Sequence, residues 1–361
     1  MGITSCFICS KPEKESFQII ESQIKNENSI SMDYFFNLIP KEIIKEMENE
    51  KKFNSNNNFD IRTERIIIDE NSSLDLKDNI KEILYHGEFN KYGKKEGLGK
   101  MIIIKEKENI FYHGIWEKDN LIEGKIYYKD GSTYDGNIQN NKREGIGIFK
   151  SDTEEYNGEW KNDQKEGNGH LYFSDETKYE GYFIENKFNG EGTMTWKDGS
   201  CYKGEFLNNC FHGLGYLKGN NGHIYEGNFQ NGKFHGKGVF KWINGYETES
   251  YDGNYSSGQK DGIGKFQFSN GHIFDGNWKS GQPDGEGIYE SYFRKYYGNW
   301  RSGIFMQLIE VEEKECKEEN LNLNFKVPVE DIYVPGHISF SINTSTSVKS
   351  SYINPHVTYM N

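Results

Sequence analysis

The sequence predicts an all-β fold: an elongated, single-layer antiparallel array of β-hairpin repeats with short helical or irregular flanks. Three observations predict it. A Tyr-x-Gly-x-aromatic signature recurs at Tyr85, Tyr112, Tyr134, Tyr156, Tyr179, Tyr202, Tyr225, Tyr251 and Tyr296, with Phe274 standing in once. The step between them is nearly constant, and self-similarity at such a period marks a repeat array with one supersecondary unit per period. Apolar content is low at 34%, yet aromatics reach 15% and there are 40 glycines. Large rings set among glycines suit a thin sheet with one aromatic face, not a thick aliphatic core.

Each repeat divides into two strands. In the repeat from Tyr156, the first half carries Tyr156, Gly158 and Trp160. After a six-residue polar link containing Lys-Asn-Asp-Gln, the second carries Gly167, Gly169, Leu171 and Phe173. Members of each half are spaced by two, the period of a strand that shows one face to a core. Asp130-Gly131, Asp198-Gly199, Asn221-Gly222, Asn244-Gly245 and Asn270-Gly271 lie between repeats and read as two-residue hairpin turns, in which both residues take positive φ. About ten hairpins, or roughly 20 strands, are expected. The glycines Gly136, Gly158, Gly181, Gly204, Gly227, Gly253 and Gly276 leave notches where a β-carbon would stand, and a ring from the adjoining strand can lie over each. Glycine costs roughly 0.5–1 kcal/mol per strand site, and a buried aromatic returns roughly 1.5–3 kcal/mol. The two positions are therefore tied together. Residues between them, such as Asp135, Glu159, Lys203 and Glu226, are mostly polar and face the other way.

Tyr-x-Gly-x-Trp/Phe followed by Gly-x-Gly resembles the MORN repeat. The resemblance covers residues 85–303, with a final half repeat at Tyr296, Gly298 and Trp300. In the second repeat Gly124 is kept and Ile126 stands where the second glycine belongs; Ile138 replaces the fifth-position aromatic of the third. The resemblance implies a single-layer sheet without intrinsic catalysis. It also implies scaffolding of ciliary, axonemal, cytoskeletal, cortical or membrane-junction assemblies, or a regulatory role beside a lipid kinase. No kinase sequence is visible in the flanks.

Three regions follow. Residues 1–84 form a non-repeating leader in which Pro40 starts a helix over Lys41–Lys52, and Ile66, Ile67 and Ile68 form a strand covering the first repeat. Residues 85–303 are the array. Residues 304–361 open with a capping helix carrying Ile304, Phe305, Leu308 and Ile309 and end in an acidic, Ser/Thr-rich tail. The formal charge of −13 is spread along the chain with no strongly basic segment, which argues against nucleic acid. The five cysteines form no disulfide framework, and neither a signal peptide nor an apolar run of about 18 residues is present. These features predict an intracellular protein with reduced thiols.

Met1-Gly2-Ile3-Thr4-Ser5-Cys6 approximates an N-myristoylation pattern, with Cys6 where Ser or Thr is usual; Cys6 and Cys9 would then be palmitoylation sites, or they are incidental thiols. Cys6-Phe7-Ile8-Cys9 lacks the second ligand pair that tetrahedral zinc needs. Gly-x-Gly pairs such as Gly145/Gly147 lack the third glycine and helix of a dinucleotide loop. His212 and His235 lack ligand partners at a metal spacing and read as turn residues. No catalytic, metal or cofactor site is expected. The functional expectation is a non-enzymatic scaffold whose aromatic face binds a partner segment or another copy, through Tyr156, Trp160, Tyr179, Trp196, Tyr202, Tyr225, Trp242, Trp278 and Trp300. The rival is an acyl-anchored membrane- or phospholipid-binding module.

Overall fold

The computed structural model describes residues 60–67, 80–105 and 109–313, together with Val327. Twenty-one strands and no helix occur among them. In order they are β1 (Asp60–Ile67), β2 (Ile80–Phe89), β3 (Lys95–Lys105), β4 (Asn109–Glu117), β5 (Asn120–Tyr127), β6 (Thr133–Gln139), β7 (Lys142–Lys150), β8 (Glu154–Lys161), β9 (Gln164–Phe173), β10 (Lys178–Ile184) and β11 (Lys187–Thr195). There follow β12 (Cys201–Leu207), β13 (Cys210–Lys218), β14 (Ile224–Gln230), β15 (Lys233–Asn244), β16 (Glu247–Ser256), β17 (Gln259–Gln267), β18 (Ile273–Lys279), β19 (Gln282–Glu290), β20 (Arg294–Arg301) and β21 (Ile304–Glu313). The chain divides into two compact bodies, Met1–Arg143 and Glu144–Asn361, and the division falls inside the repeat region. Within each body, successive strands pair antiparallel with their sequence neighbours, as an up-and-down array of hairpins requires.

Two flanking elements differ in outcome. β1 runs antiparallel along β2 from Asp60↔Phe89 to Ile67↔Glu82, so the strand expected at Ile66 and Ile67 begins six residues earlier. Ile68 and the helix expected over Lys41–Lys52 lie outside the described residues. The capping helix expected from Ile304 is instead β21, which pairs with β20. Ile304, Phe305, Leu308 and Ile309 fit a helical stripe, but Ser302-Gly303 makes a tight turn that returns the chain onto β20, where an edge is waiting to be paired.

The turns reverse the sequence expectation. The two-residue turns with both φ positive lie inside the repeats, at Asn162-Asp163, Glu185-Asn186, Asn208-Asn209, Asn231-Gly232, Ser257-Gly258 and Ser280-Gly281. This is the type I′ geometry that suits strand twist. The polar link is therefore two residues long, and its remaining residues are strand. Between repeats, only the glycine of Asp198-Gly199 has positive φ. Trp196 N–H donates to Ser200 O at 3.0 Å and Gly199 N–H donates to Trp196 O at 3.0 Å, closing a three-residue loop. Asp198 contributes its side chain instead, accepting from Ser200 N–H at 2.9 Å. Asp130, Asp175, Asn221 and Asn270 accept in the same way from the residue two positions on. At Asn244-Gly245 the turn is shifted by one, with Asn244 paired to Glu247 across Gly245-Tyr246.

The two glycines of each Gly-x-Gly also do different jobs. Gly167, Gly190, Gly213, Gly236, Gly262 and Gly285 have positive φ and sit at a β-bulge, where the pairing register slips. In five repeats the third residue after the tyrosine, or after Phe274, clamps that bulge. Glu159 and Glu205 accept from Asn168 N–H and Leu214 N–H at 2.8 and 2.9 Å. Asn228, Asn254 and Asn277 donate instead to the carbonyls of Lys237, Ile263 and Glu286 at 3.1, 3.1 and 3.0 Å. In the second repeat, Gly124 opposes Gly114 and Gly136 and so occupies the notch position, while Ile122 is the bulged residue. Ile126 therefore replaces no glycine; the substitution falls at Ile122, two residues before Gly124.

Candidate functional site

The second glycine of each pair opposes the glycine of the flanking strands. In the second body this register links Gly147, Gly158, Gly169, Gly181, Gly192, Gly204, Gly215, Gly227, Gly238, Gly253, Gly264, Gly276, Gly287 and Gly298 without a break. In the first body Gly87, Gly99, Gly114, Gly124 and Gly136 line up in the same way. A spine of bare α-carbons thus crosses the strands at right angles.

The repeat tyrosine lies on this spine. A β-carbon built at Gly215 would stand 2.5 Å from the Tyr202 hydroxyl and 2.6 Å from its ring; one at Gly169 would meet Tyr156 at 2.5 Å. The ring comes from the same strand as one glycine of each pair and from the neighbouring strand of the other, so a single ring fills two notches. Its hydroxyl donates to the carbonyl three residues on: Tyr134 to Asn137 at 2.7 Å, Tyr156 to Glu159 at 2.8 Å, Tyr202 to Glu205 at 2.8 Å and Tyr225 to Asn228 at 2.8 Å. That carbonyl sits at the bulge, so the hydroxyl has a partner although the ring is buried.

Rings then join repeat to repeat. In the repeats from Tyr85, Tyr156, Tyr179, Tyr202, Tyr225 and Tyr251 the tyrosine meets the fifth-position ring of its own repeat edge-on, as in Tyr156–Trp160 at 5.1 Å and Tyr202–Phe206 at 5.0 Å. It meets the same ring of the next repeat almost identically, as in Tyr156–Phe183 at 5.0 Å, Tyr179–Phe206 at 5.1 Å and Tyr202–Phe229 at 5.2 Å. Such pairs contribute roughly 0.5–1.5 kcal/mol beyond area burial.

Sequence reasoning missed the residue that covers each tyrosine, two positions past the tight turn. In three central repeats it is phenylalanine, stacked at 3.9, 3.7 and 3.9 Å: Phe188 on Tyr179, Phe211 on Tyr202 and Phe234 on Tyr225. In four others it is a cation: Lys95 over Tyr85 at 5.2 Å, Arg143 over Tyr134 at 5.9 Å, Lys165 over Tyr156 at 5.3 Å and Lys260 over Tyr251 at 5.6 Å. Lysine and phenylalanine look unrelated in a sequence, yet either can lie on the negative face of a ring. Lys165 also pairs with Glu154 at 2.6 Å. Burial pulls the Lys95 ammonium below its usual range.

The nine residues expected to contact a partner are thus brought together, but with one another. Tyr156, Trp160, Tyr179, Trp196, Tyr202, Tyr225, Trp242, Trp278 and Trp300 are each between 0% and 5% exposed. As placed, they form the core of the array and offer almost no surface. Gly2, Cys6 and Cys9 lie outside the described residues.

The open surface is the other face. Around Gly169, Gly181 and Gly192 it forms a shallow trough edged by Asn168, His170, Glu180, Glu191, Thr193 and Lys203. Apolar side chains interrupt its polar alternation at Tyr182, Ile184, Leu207 and Leu214, the last 63% exposed. Tyr182 and Ile184 alternate with Gly181 and Phe183 in the sequence, a signal that could have revealed them. Among the described residues no cluster of His, Cys, Asp or Glu could hold a metal ion.

Burial raises the phenol pKa of Tyr85, Tyr156, Tyr179, Tyr202 and Tyr225 above the ordinary value, with nearby Glu88, Glu159 and Glu205 adding to the effect at Tyr85, Tyr156 and Tyr202. In the unfolded chain a tyrosine ionises near pH about 10. The fold favours the neutral form, so this contribution is complete below that pH and is lost as pH rises through the higher folded values. Alkaline titration followed by phenolate absorbance should show a set of tyrosines that ionise only together with loss of sheet signal. Complete ionisation near pH about 10 with the sheet intact would contradict the packing described.

The family model of the MORN repeat matches residues 85–103, 134–153, 156–178, 179–201, 202–224, 225–245, 251–273 and 274–292. It passes over the repeat from Tyr112, where Ile122 stands at the bulge. No curated protein matches the chain. MORN arrays are commonly protein- or membrane-binding modules and typically non-enzymatic. A glycine spine, aromatic rings seated on most of its notches and eight matched repeats make this chain a member of the MORN-repeat family.

Proposed function

We propose that the protein is a non-enzymatic scaffold that binds a protein partner, in a ciliary, cytoskeletal or cortical assembly. The family supports a binding module; the setting follows from the resemblance of the repeats to those of such scaffolds. The observation that carries the reading is the division of labour between the two faces. The aromatic face is consumed in holding the array together, whereas the opposite face presents Tyr182, Ile184, Leu207 and Leu214 beside Glu180, Glu185, Glu191 and Glu205. Exposed apolar residues rimmed by charge are a common form of protein-binding surface. The aromatic rings act on the partner indirectly, by fixing the spacing of the strands that carry this surface.

Replacing Tyr182 and Leu214 together by aspartate should leave the sheet and its thermal transition intact and abolish recovery of the partner in a quantitative pull-down. Undiminished recovery would place the contact elsewhere.

A second reading rests on Met1-Gly2 with Cys6 and Cys9 close behind: an acyl tether that brings the scaffold to a membrane or phospholipid surface. A single myristoyl chain binds membranes marginally and a second lipid makes the anchor stable. Gly2→Ala should release the protein from a membrane pellet into the supernatant. Retention of the variant in the pellet would show that acylation is not what holds it.

A further inference from the structure

The first and last strands of the repeat region are finished differently. At the start, β1 lies along β2, and the Arg62 guanidinium sits 4.1 Å above the Phe89 ring. Phe89, Leu84 and Tyr85 are all buried there, so a strand with a cation closes that terminal ring. At the other end, Phe305 of β21 packs on Trp300 at 5.1 Å and fills the notch at Gly298. Beyond that contact, Ile304, Met306, Leu308, Ile309 and Val311 are 57%, 58%, 47%, 57% and 37% exposed. Among the described residues β21 pairs with β20 alone, which leaves its other edge open. An apolar strand with an open edge is a template for further pairing, and repeat arrays need an end cap with a polar outer side.

The sequence that follows has the pattern of such a cap. After a polar link, Lys314-Glu315-Cys316-Lys317-Glu318-Glu319-Asn320, come Leu321-Asn322-Leu323-Asn324-Phe325-Lys326. Apolar and polar residues alternate strictly, the mark of a strand covered on one face, and Pro328 then blocks further pairing. Val327 is half-buried.

We propose that Leu321–Lys326 seats on the open edge of β21 as the C-terminal counterpart of β1, setting Leu321, Leu323 and Phe325 beside Leu308 and Val311 on the face of Gly298 and Tyr296 and turning Asn322, Asn324 and Lys326 to water. A second copy of the chain is the competing occupant of such an edge. The chain's own segment is favoured because a link of seven residues holds it beside β21 at an effective concentration in the millimolar range. It also brings a row of two asparagines and the cationic Lys326 to a strand ending in Glu310, Glu312 and Glu313, whereas a second β21 would add three more carboxylates.

Hydrogen exchange on the full chain tests this, together with its mass in solution at several concentrations. Amides of residues 321–326 and of β21 should both exchange at least tenfold more slowly than unstructured peptide in a monomer. Leu323→Asp with Phe325→Asp should remove the protection of both segments, while β8–β17 keep theirs and so report an intact array. Exchange of residues 321–326 at the unstructured rate in the unmodified chain would overturn the proposal. So would protection of β21 that appears only with concentration-dependent dimerisation, which would give the edge to a second copy. The first measurement needs no variant, so a double substitution that fails to fold does not leave the question open.

Discussion

The structure depends on one contact: a tyrosine ring lying across two α-carbons that carry no side chain. Glycine is a poor strand residue because it has conformational entropy to lose and nothing to pack. Here that weakness is what lets a ring lie against the backbone of two adjacent strands at once. The ring supplies the apolar area the glycines lack, and its hydroxyl is satisfied by the carbonyl of the bulge three residues on. Neither partner would be stable alone, and the bulge that aims the carbonyl needs the other glycine of the motif at positive φ. Three positions of the repeat are therefore one interaction.

Repetition turns this contact into a fold. A single hairpin buries little and is marginal in water. Because tyrosines such as Tyr156 meet the fifth-position ring of both their own repeat and the next, one repeat completes its neighbour's packing. Stability of this kind is close to a sum over repeats and nearest-neighbour interfaces. It also allows substitution wherever the role is preserved, and the residue covering the tyrosine is phenylalanine in three repeats and lysine or arginine in four. The rings are spent on the interior, and the opposite face, where Tyr182 and Leu214 stand exposed, is the open surface.

Much of this was legible in the residues. Spacing by two gave the strands, the period gave the hairpins, and glycine beside aromatic gave the notch, although at Gly158 the ring is that of Tyr156 from the same strand and not one from the adjoining strand, as expected. Errors arose where one residue type serves two geometries. Asp198-Gly199 reads as a type I′ turn, but aspartate can cap a three-residue loop through its side chain, while Asn208-Asn209 adopts the type I′ turn without any glycine. Ile304, Phe305, Leu308 and Ile309 have helical spacing, yet an unpaired strand edge next to a tight turn outweighs a short stripe. The expectation that tryptophans such as Trp242 offer contact surface came from counting aromatic residues on one face; it did not allow for rings covering one another across repeats. The lid position was invisible because its rule is attraction to a ring face, which Lys260 and Phe234 satisfy by different chemistry.

The most direct measurement of the central contact is a double-mutant cycle at Tyr202 and Gly215, read as unfolding free energy in urea. The nearest atoms to a β-carbon at Gly215 all belong to Tyr202. Gly215→Ala should cost about 1–3 kcal/mol in the native background, as overpacking does. In the Tyr202→Leu background, where the obstructing ring is gone, the same substitution should cost markedly less, with a coupling of roughly 0.5–3 kcal/mol. Strict additivity of the two changes would mean that ring and notch are independent, and the account of this fold would be wrong.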